Sequence, residues 1–238
     1  MGSSLAPPLP SPAYAPSSDA VERALALLAP HDAPVVFLGE PGSGRSVLGR
    51  RLHQLSPRRA SPWVKVDCRG LASRSAPVKA LEDAIASAGS GSILLEEVEL
   101  LLAPLQIRLM AWLETTRSSP RPRLLATAQR DLENEVERGR FREDLRSRID
   151  VFEIRVPPLR ERRGEIAELA RQLLAESAAR LAVAPPGLPP EVERLLLAYA
   201  WPGNVRELRS AMERAVALSS GPVIEASTLP PRVLAGAG

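Results

Sequence analysis

The sequence predicts an α/β protein: a core with a parallel sheet flanked by helices, followed by a small, wholly helical subdomain. Three observations predict it. Short apolar runs alternate with stretches of helical spacing through the first two thirds of the chain. A glycine-rich turn stands between one of these runs and a helix. After Pro157 and Pro158 only helical spacing remains. Strands that alternate with helices imply parallel pairing, because a parallel neighbour needs a crossover element that packs on the sheet face.

The elements follow in order. Residues 1–17 are rich in Pro, Ser and Ala with no hydrophobic period, and read as a flexible leader. Helical spacing runs over 19–28. Residues 34–38 form a short apolar run ending at Gly39, the pattern of a buried strand. Helical spacing returns over 47–55. A strand is predicted over 61–66, a helix over 77–88 and a strand over 92–95. The next helix, over 104–113, opens with a proline, where the missing N–H costs nothing. Strands over 123–127 and 151–156 complete the core, and helices over about 163–182, 189–199 and 204–219 follow. The predicted organisation is a leader 1–17, an α/β core 18–156, a linker 157–163, a helical subdomain 164–232 and a tail 233–238.

Composition fits this reading. The chain has 238 residues, 45% hydrophobic and 25% charged, a balance that can bury a core. Aromatics are only 3%, so the core must be built from Leu, Val, Ile and Ala. The formal charge is +3 and the pI about 9.6. Nearly every basic residue is Arg, with Lys only at Lys65 and Lys79, and the arginines are interleaved with acids. That is the pattern of solvated helix faces, so the basic pI carries little weight as a sign of nucleic-acid binding. Cys68 is the sole cysteine, which excludes an internal disulfide and fits a reducing, cytoplasmic setting. His31 and His53 are the sole histidines, and no Cys/His cluster has metal-ligand spacing. No signal peptide is legible, and no apolar run approaches the roughly 20 residues of a membrane span.

Two stretches carry chemistry. Gly39-Glu40-Pro41-Gly42-Ser43-Gly44-Arg45-Ser46 follows a strand and opens a helix, the context of a phosphate-binding loop. Its glycines let backbone N–H groups surround an anion, and the helix N-terminus adds its positive end. Ser46 holds the place of the Mg²⁺-binding hydroxyl. Arg45 stands where the pattern has Lys, and a planar fork does not replace a compact ammonium. About 50 residues later, Ser92-Ile93-Leu94-Leu95-Glu96-Glu97 is an apolar strand ending in two acids. Glu96 stands where an Asp usually supports Mg²⁺, and Glu97 is a candidate base for an attacking water.

Longer runs resemble one family, the AAA+ domains of bacterial enhancer-binding proteins that act on sigma-54 RNA polymerase. Gly139-Arg140-Phe141-Arg142-Glu143-Asp144-Leu145, Arg148, and Pro157-Pro158-Leu159-Arg160-Glu161-Arg162 are similar to its arginine-finger region and following linker. Trp201-Pro202-Gly203-Asn204-Val205-Arg206-Glu207-Leu208 is similar to its lid motif. The resemblance covers roughly 18–232. It implies a P-loop AAA+ core with a helical lid, with ATP or ADP and Mg²⁺ as ligands. Arg142 and Arg148 would reach a neighbouring subunit's nucleotide, and Arg206 would sense nucleotide within the subunit. From spacing alone Arg142 and Arg148 read as a salt-bridged helix, with Glu143 and Asp144 as partners. Likewise Arg206 reads as part of a helix capped by Asn204.

Departures gather around the chemistry. Beyond Arg45 and Glu96, the segment 124–132 matches the family's sensor strand, where Thr-Asn is usual and Ala128-Gln129 stands here. Asp67 replaces an Asn that couples the catalytic Glu to nucleotide state. The GAFTGA-type loop that grips sigma-54 is missing from 68–90, and the companion pore loop is reduced to a connector at 114–122. These residues contain no helix-turn-helix for DNA. The leading expectation is thus a degenerate module that binds nucleotide weakly and associates with itself or with homologous AAA+ subunits. The alternatives are an active ATPase working in a ring and a nucleotide-free interaction scaffold.

Overall fold

The structure is a computed structural model and describes residues 13–14, 18–115, 121–219 and 221–236. It divides into two compact units. The first comprises Met1–Leu38 and Arg45–Arg155; the second comprises Gly39–Gly44 and Val156–Gly238. The core expected over 18–156 is divided at the phosphate loop. The first residues of the phosphate loop group with the helical unit, because most of their tertiary partners lie there.

The first unit carries a six-stranded sheet in the order β1-β6-β2-β5-β4-β3. The strands are β1 (Ala13–Tyr14), β2 (Val35–Gly39), β3 (Trp63–Asp67), β4 (Ser92–Glu96), β5 (Arg123–Ala128) and β6 (Phe152–Val156). Pairing is parallel, with Val35 opposite Leu125, Ser92 opposite Arg123 and Trp63 opposite Ser92. Burial explains the order. All six residues of β5 are buried, as are the first four of β2 and of β4. Continuous apolar runs of this kind belong in the middle of a parallel sheet covered on both faces. β3 is mostly half-buried or exposed and carries Lys65 outward, as an edge strand does.

Helices α1 (Ser18–Leu28), α2 (Arg45–Leu55), α3 (Cys68–Ala72), α4 (Pro77–Ala88), α5 (Ala103–Thr115), α6 (Leu132–Glu137) and α7 (Glu143–Ile149) accompany the sheet. Leu81, Ile85, Leu105, Leu109 and Leu145, each buried, join the strands in one core with hardly an aromatic in it. α3 and α6 are additions to the predicted elements, whereas α7 is the helix that spacing gives around Glu143 to Arg148. The expected leader is also corrected: Ala13–Tyr14 pair with Ile154 and Arg155 as β1. The remainder of 1–17 lies outside the described residues, as do 116–120 of the expected connector.

The second unit is helical: α8 (Ile166–Leu181), α9 (Pro190–Ala198), α10 (Asn204–Leu218) and α11 (Pro231–Ala235). Ile166, Ala170, Leu173, Leu174 and Ala178 recur at helical spacing along the buried face of α8 and pack with Leu208, Met212 and Ala215 of α10. Trp201 is fully buried at a φ of 51° and donates its ring N–H to the Leu196 carbonyl at 2.7 Å. The expected tail is corrected as well. Val233, on α11, is fully buried in this core.

One buried cation secures the amino-terminal edge of the sheet. Arg123 is 2% exposed and donates to the carbonyls of Leu28, Ala29 and Ala33 at 3.0, 3.4 and 3.2 Å. It adds a donor to the Leu28 carbonyl, at the end of α1, and to the Ala29 and Ala33 carbonyls of the segment that follows. Burial lowers its pKa to about 10, so it remains charged at neutral pH. Arg123→Met should preserve the apolar stem but take that donor from those carbonyls, at a cost of about 3 kcal/mol. A urea denaturation midpoint unchanged from the parent chain would refute this.

Candidate functional site

The phosphate loop closes with the Ser43 N–H on the Glu40 carbonyl at 3.2 Å. Gly42 and Gly44 sit at φ of 78° and 106°, conformations that L side chains rarely adopt. A Cβ on Gly42 would also lie 2.3 Å from the Gly203 carbonyl. α2 then begins at Arg45, and the N–H groups of its first turn have no acceptor within the helix. Ser43 Oγ is buried without a hydrogen-bond partner among the described residues. The glycine conformations and the buried Ser43 Oγ together fit an anion such as a nucleotide's phosphates. Arg45 itself is buried, and its charge acts on Glu99.

Within the second unit, four side-chain contacts hold this loop. Arg160 donates to both oxygens of Glu40, at 2.6 and 2.8 Å. Asn204 donates to Glu40 Oε2 and to the Pro41 carbonyl, each at 3.1 Å. Arg162 donates to the Ser43 carbonyl at 2.7 Å. Asn204 Oδ1 accepts from the Leu159 N–H at 2.7 Å. Asn204 is therefore not the helix cap that spacing suggests. Gly203 occupies that position, and Glu207 reaches back to its N–H at 2.7 Å. Arg206 is exposed; its backbone N–H lies 3.4 Å from the Gly42 carbonyl.

The carboxyl ends of β4 and β5 gather the acids. Ser46 Oγ donates to Glu96 Oε1, and Lys65 pairs with Glu96 Oε2 at 3.1 Å. The two residues expected to serve Mg²⁺ are thus brought together. Among the described residues no group of three or more acids, histidines or cysteines stands ready for a metal. Glu97 takes a left-handed conformation, φ 56°, and its N–H donates to Thr127 Oγ1 at 3.1 Å. Both oxygens of its carboxylate are engaged: Arg69 donates to Oε2 at 2.8 Å, and Gln129 Nε2 donates to Oε1. Gln129, expected as a lost sensor residue, therefore still touches the candidate base; Ala128 has no polar atom to offer. Asp67 caps α3 by accepting from the Arg69 N–H at 3.0 Å, and it is Arg69 that reaches Glu97. Glu99 is buried, and burial holds its carboxyl above the usual range while the Gln129 N–H donates to Oε1 at 2.8 Å.

Arg142 heads α7, clasped by Asp144 at 2.6 and 3.0 Å, so the salt-bridged arrangement holds for Arg142, whereas Glu143 pairs with Arg146 rather than Arg148. Arg148 is half-buried on the last turn of the same helix. Two buried residues position this segment. Gln106 donates to the Leu101 and Arg140 carbonyls and accepts the Arg142 N–H, at 2.8, 2.9 and 2.9 Å. Glu135, 1% exposed, takes Arg140 on both oxygens and is ionised well below the usual carboxylate range by that bond.

The sigma-54 interaction domain family matches residues 13–159, and an AAA+ ATPase lid domain matches 160–238. The chain belongs to the sigma-54 interaction domain family. The hydrogenase transcriptional regulatory protein HoxA of Cupriavidus necator is 39% identical over 92% of this chain and 50% of its own length. The transcriptional regulatory protein ZraR of Klebsiella oxytoca is 36% identical over 90% of this chain and 54% of its own. The chain thus spans about half the length of the curated relatives it matches. Brucella abortus NtrX, solved in complex with ADP, superposes with a TM-score of 0.81 at 26% identity. That match covers 91% of this chain and 54% of NtrX.

In this sigma-54 interaction domain the loop, Ser46, Glu96 and Glu97 were legible as a phosphate-loop pattern, whereas Lys65, Arg69, Gln106 and Glu135 were not. Lys65, Arg69 and Gln106 contact their partners across about 30 residues of sequence, and nothing periodic marks such pairs; Glu135 pairs with the nearby Arg140, but its burial leaves no mark in an interleaved run of charges. The acidic edge also controls Cys68. Its thiol is fully buried at the start of α3, and burial first, then the charges of Glu99, Asp67, Glu96 and Glu97, push its pKa far up. The native thiol should react with a disulfide reagent about 100-fold more slowly than in urea. Labelling at the rate of a free thiol at pH 8 would show that α3 does not seal it.

Proposed function

We infer that this chain is a sigma-54-activator-type AAA+ module in transcription regulation that binds adenine nucleotide weakly, with little hydrolysis and no direct engagement of sigma-54. One observation carries the reading: the chain keeps a well-formed phosphate loop, but both oxygens of its candidate base are already taken, by Arg69 and Gln129. Brucella abortus NtrX, of similar fold, has been crystallised with ADP and with ATP, which supports nucleotide as the ligand. The backbone from Gly39 to Ser46 would hold the phosphates, with Arg45 as the cation and Arg206 as a further contact. Mg²⁺ would take Ser46 and Glu96, and when bound it supplies charge neutralisation at the transferring phosphate. That requires Ser46 and Glu96 to give up their hydrogen bond and Lys65 to yield an oxygen. Arg142 and Arg148 would act on a second copy's nucleotide, in self-association or with homologous subunits, and Arg142 must first leave Asp144.

A second reading, an active ATPase working in a ring, is favoured by Thr127, whose hydroxyl accepts the Glu97 N–H and so positions the candidate base at the end of β4 without engaging its carboxylate. Turnover separates the two. ATP hydrolysis should stay near background at every protein concentration, whereas Mg²⁺-dependent turnover abolished by Glu97→Gln would establish the enzyme. Calorimetry should detect ADP, with Arg45→Ala weakening it about tenfold, or about 1.4 kcal/mol. No binding at millimolar nucleotide would leave only the scaffold reading.

The partner surface supports the absence of sigma-54 contact. Between β3 and β4 the described residues form α3, the turn 73–76 and α4, with no projecting loop. A contact made by exposed tips loses most of its binding energy with those tips, and chain length limits reach to about 3.5 Å per residue. This chain should therefore fail to trap sigma-54 in a pull-down with ADP and a metal fluoride, under conditions where an intact family member succeeds. A nucleotide-dependent complex would overturn the loop reading.

A further inference from the structure

Glu40 is the one acidic residue in the phosphate loop, placed next to glycines whose task is to receive an anion. Left alone, its charge would oppose any phosphate bound there. Arg160 meets it on both oxygens, at 2.6 and 2.8 Å, and a forked guanidinium on a carboxylate fixes orientation as well as charge. Asn204 adds a third bond to the same carboxylate, and its amide also holds the Pro41 carbonyl. Asn204 is fully buried at a φ of 53°, and its own oxygen is tied to the Leu159 N–H, so its position is fixed by the lid core rather than by the loop. Arg162, from the same linker as Arg160, holds the Ser43 carbonyl. The loop's shape is therefore imposed by groups 115 or more residues further along the chain.

We propose that the Glu40–Arg160 pair, backed by Asn204, is a latch that presets the phosphate loop and cancels Glu40's charge, so that Arg160 sets the loop's affinity for nucleotide phosphates without touching them. Arg160 is thus a positioning residue. The proposal rests on the nucleotide-binding reading above but makes a separate claim about the loop. A preformed loop binds an anion without first being ordered, and a neutralised Glu40 does not repel it. Loss of Arg160 removes both advantages; loss of the Glu40 charge removes only part of the first. Arg160 and Glu40 are each about 40% exposed at the side chain, at 40% and 38%, so replacing them leaves the lid core intact.

Two measurements on the full chain test this. ADP binding by calorimetry should fall about tenfold in Arg160→Ala, fall much less in Glu40→Gln, and recover most of the loss in the double variant. Amide hydrogen exchange at 42–46, without nucleotide, should quicken in Arg160→Ala, while exchange across α8 and α10 stays unchanged. Parental ADP affinity in Arg160→Ala overturns the latch's control of binding. A double variant no better than Arg160→Ala overturns the charge argument. If the parent chain binds no ADP, the nucleotide-binding reading fails, and the latch stands or falls on exchange alone: unchanged rates at 42–46 overturn it.

Discussion

The central strands β2, β4 and β5 are buried on both faces, and that burial dictates where polar chemistry stands. Phe37, Ile93, Leu94, Leu95 and Leu125 have no exposed surface at all. A charge placed among them would lose its hydration with nothing to replace it, so charged groups collect at the strand ends. At the amino-terminal edge Arg123 meets that condition with carbonyls. At the carboxyl edge Glu96, Glu97 and Gln129 meet it with one another's neighbours. Parallel pairing sends all these carboxyl ends to one side, which is where open α/β sheets bind ligands.

The acids of the candidate site divide by how firmly they are held. Glu135 is 1% exposed and paired with three arginines; removing Arg140 would take its two short bonds and leave the longer pairs with Arg138 and Arg130, at 3.4 and 3.8 Å. Glu97 and Glu96 differ in their partners. The Arg69 side chain is 70% exposed and Lys65 is 55% exposed, and ion pairs with such partners contribute about 0–1 kcal/mol. Re-pairing there costs little, so the occupied carboxylate of Glu97 reflects a weak lock rather than a rigid one. Gln129 strengthens that lock, since it approaches from the buried end of β5.

Legibility in the sequence followed the same physics. β2, β4 and β5 were readable because strands covered on both faces are continuous apolar runs, and α8 and α10 because a long helix repeats its buried face several times. α3 and α6, at five and six residues, complete at most two turns and leave no period to read. β1 is two residues among prolines. The glycine loop and the paired acids were legible because backbone conformation and strand ends constrain residue type locally. The bond from Arg160 to Glu40 spans 120 residues, and no local rule announces it.

The substitution of Arg for Lys in the phosphate loop has a local context that a motif comparison misses. Glu99 lies three residues past the end of β4 and is 7% exposed, an unfavourable place for a carboxylate. Burial raises its pKa, and the charge of Arg45 is among the influences that lower it again. Arg45 therefore stands in the loop's sequence while its charge also bears on the buried acid, with less weight than burial or the Gln129 N–H. A guanidinium, planar and with five donors, can serve two directions at once, which a single compact ammonium does less well. The charge at position 45 thus has a neighbour outside the loop, in the buried carboxyl of Glu99.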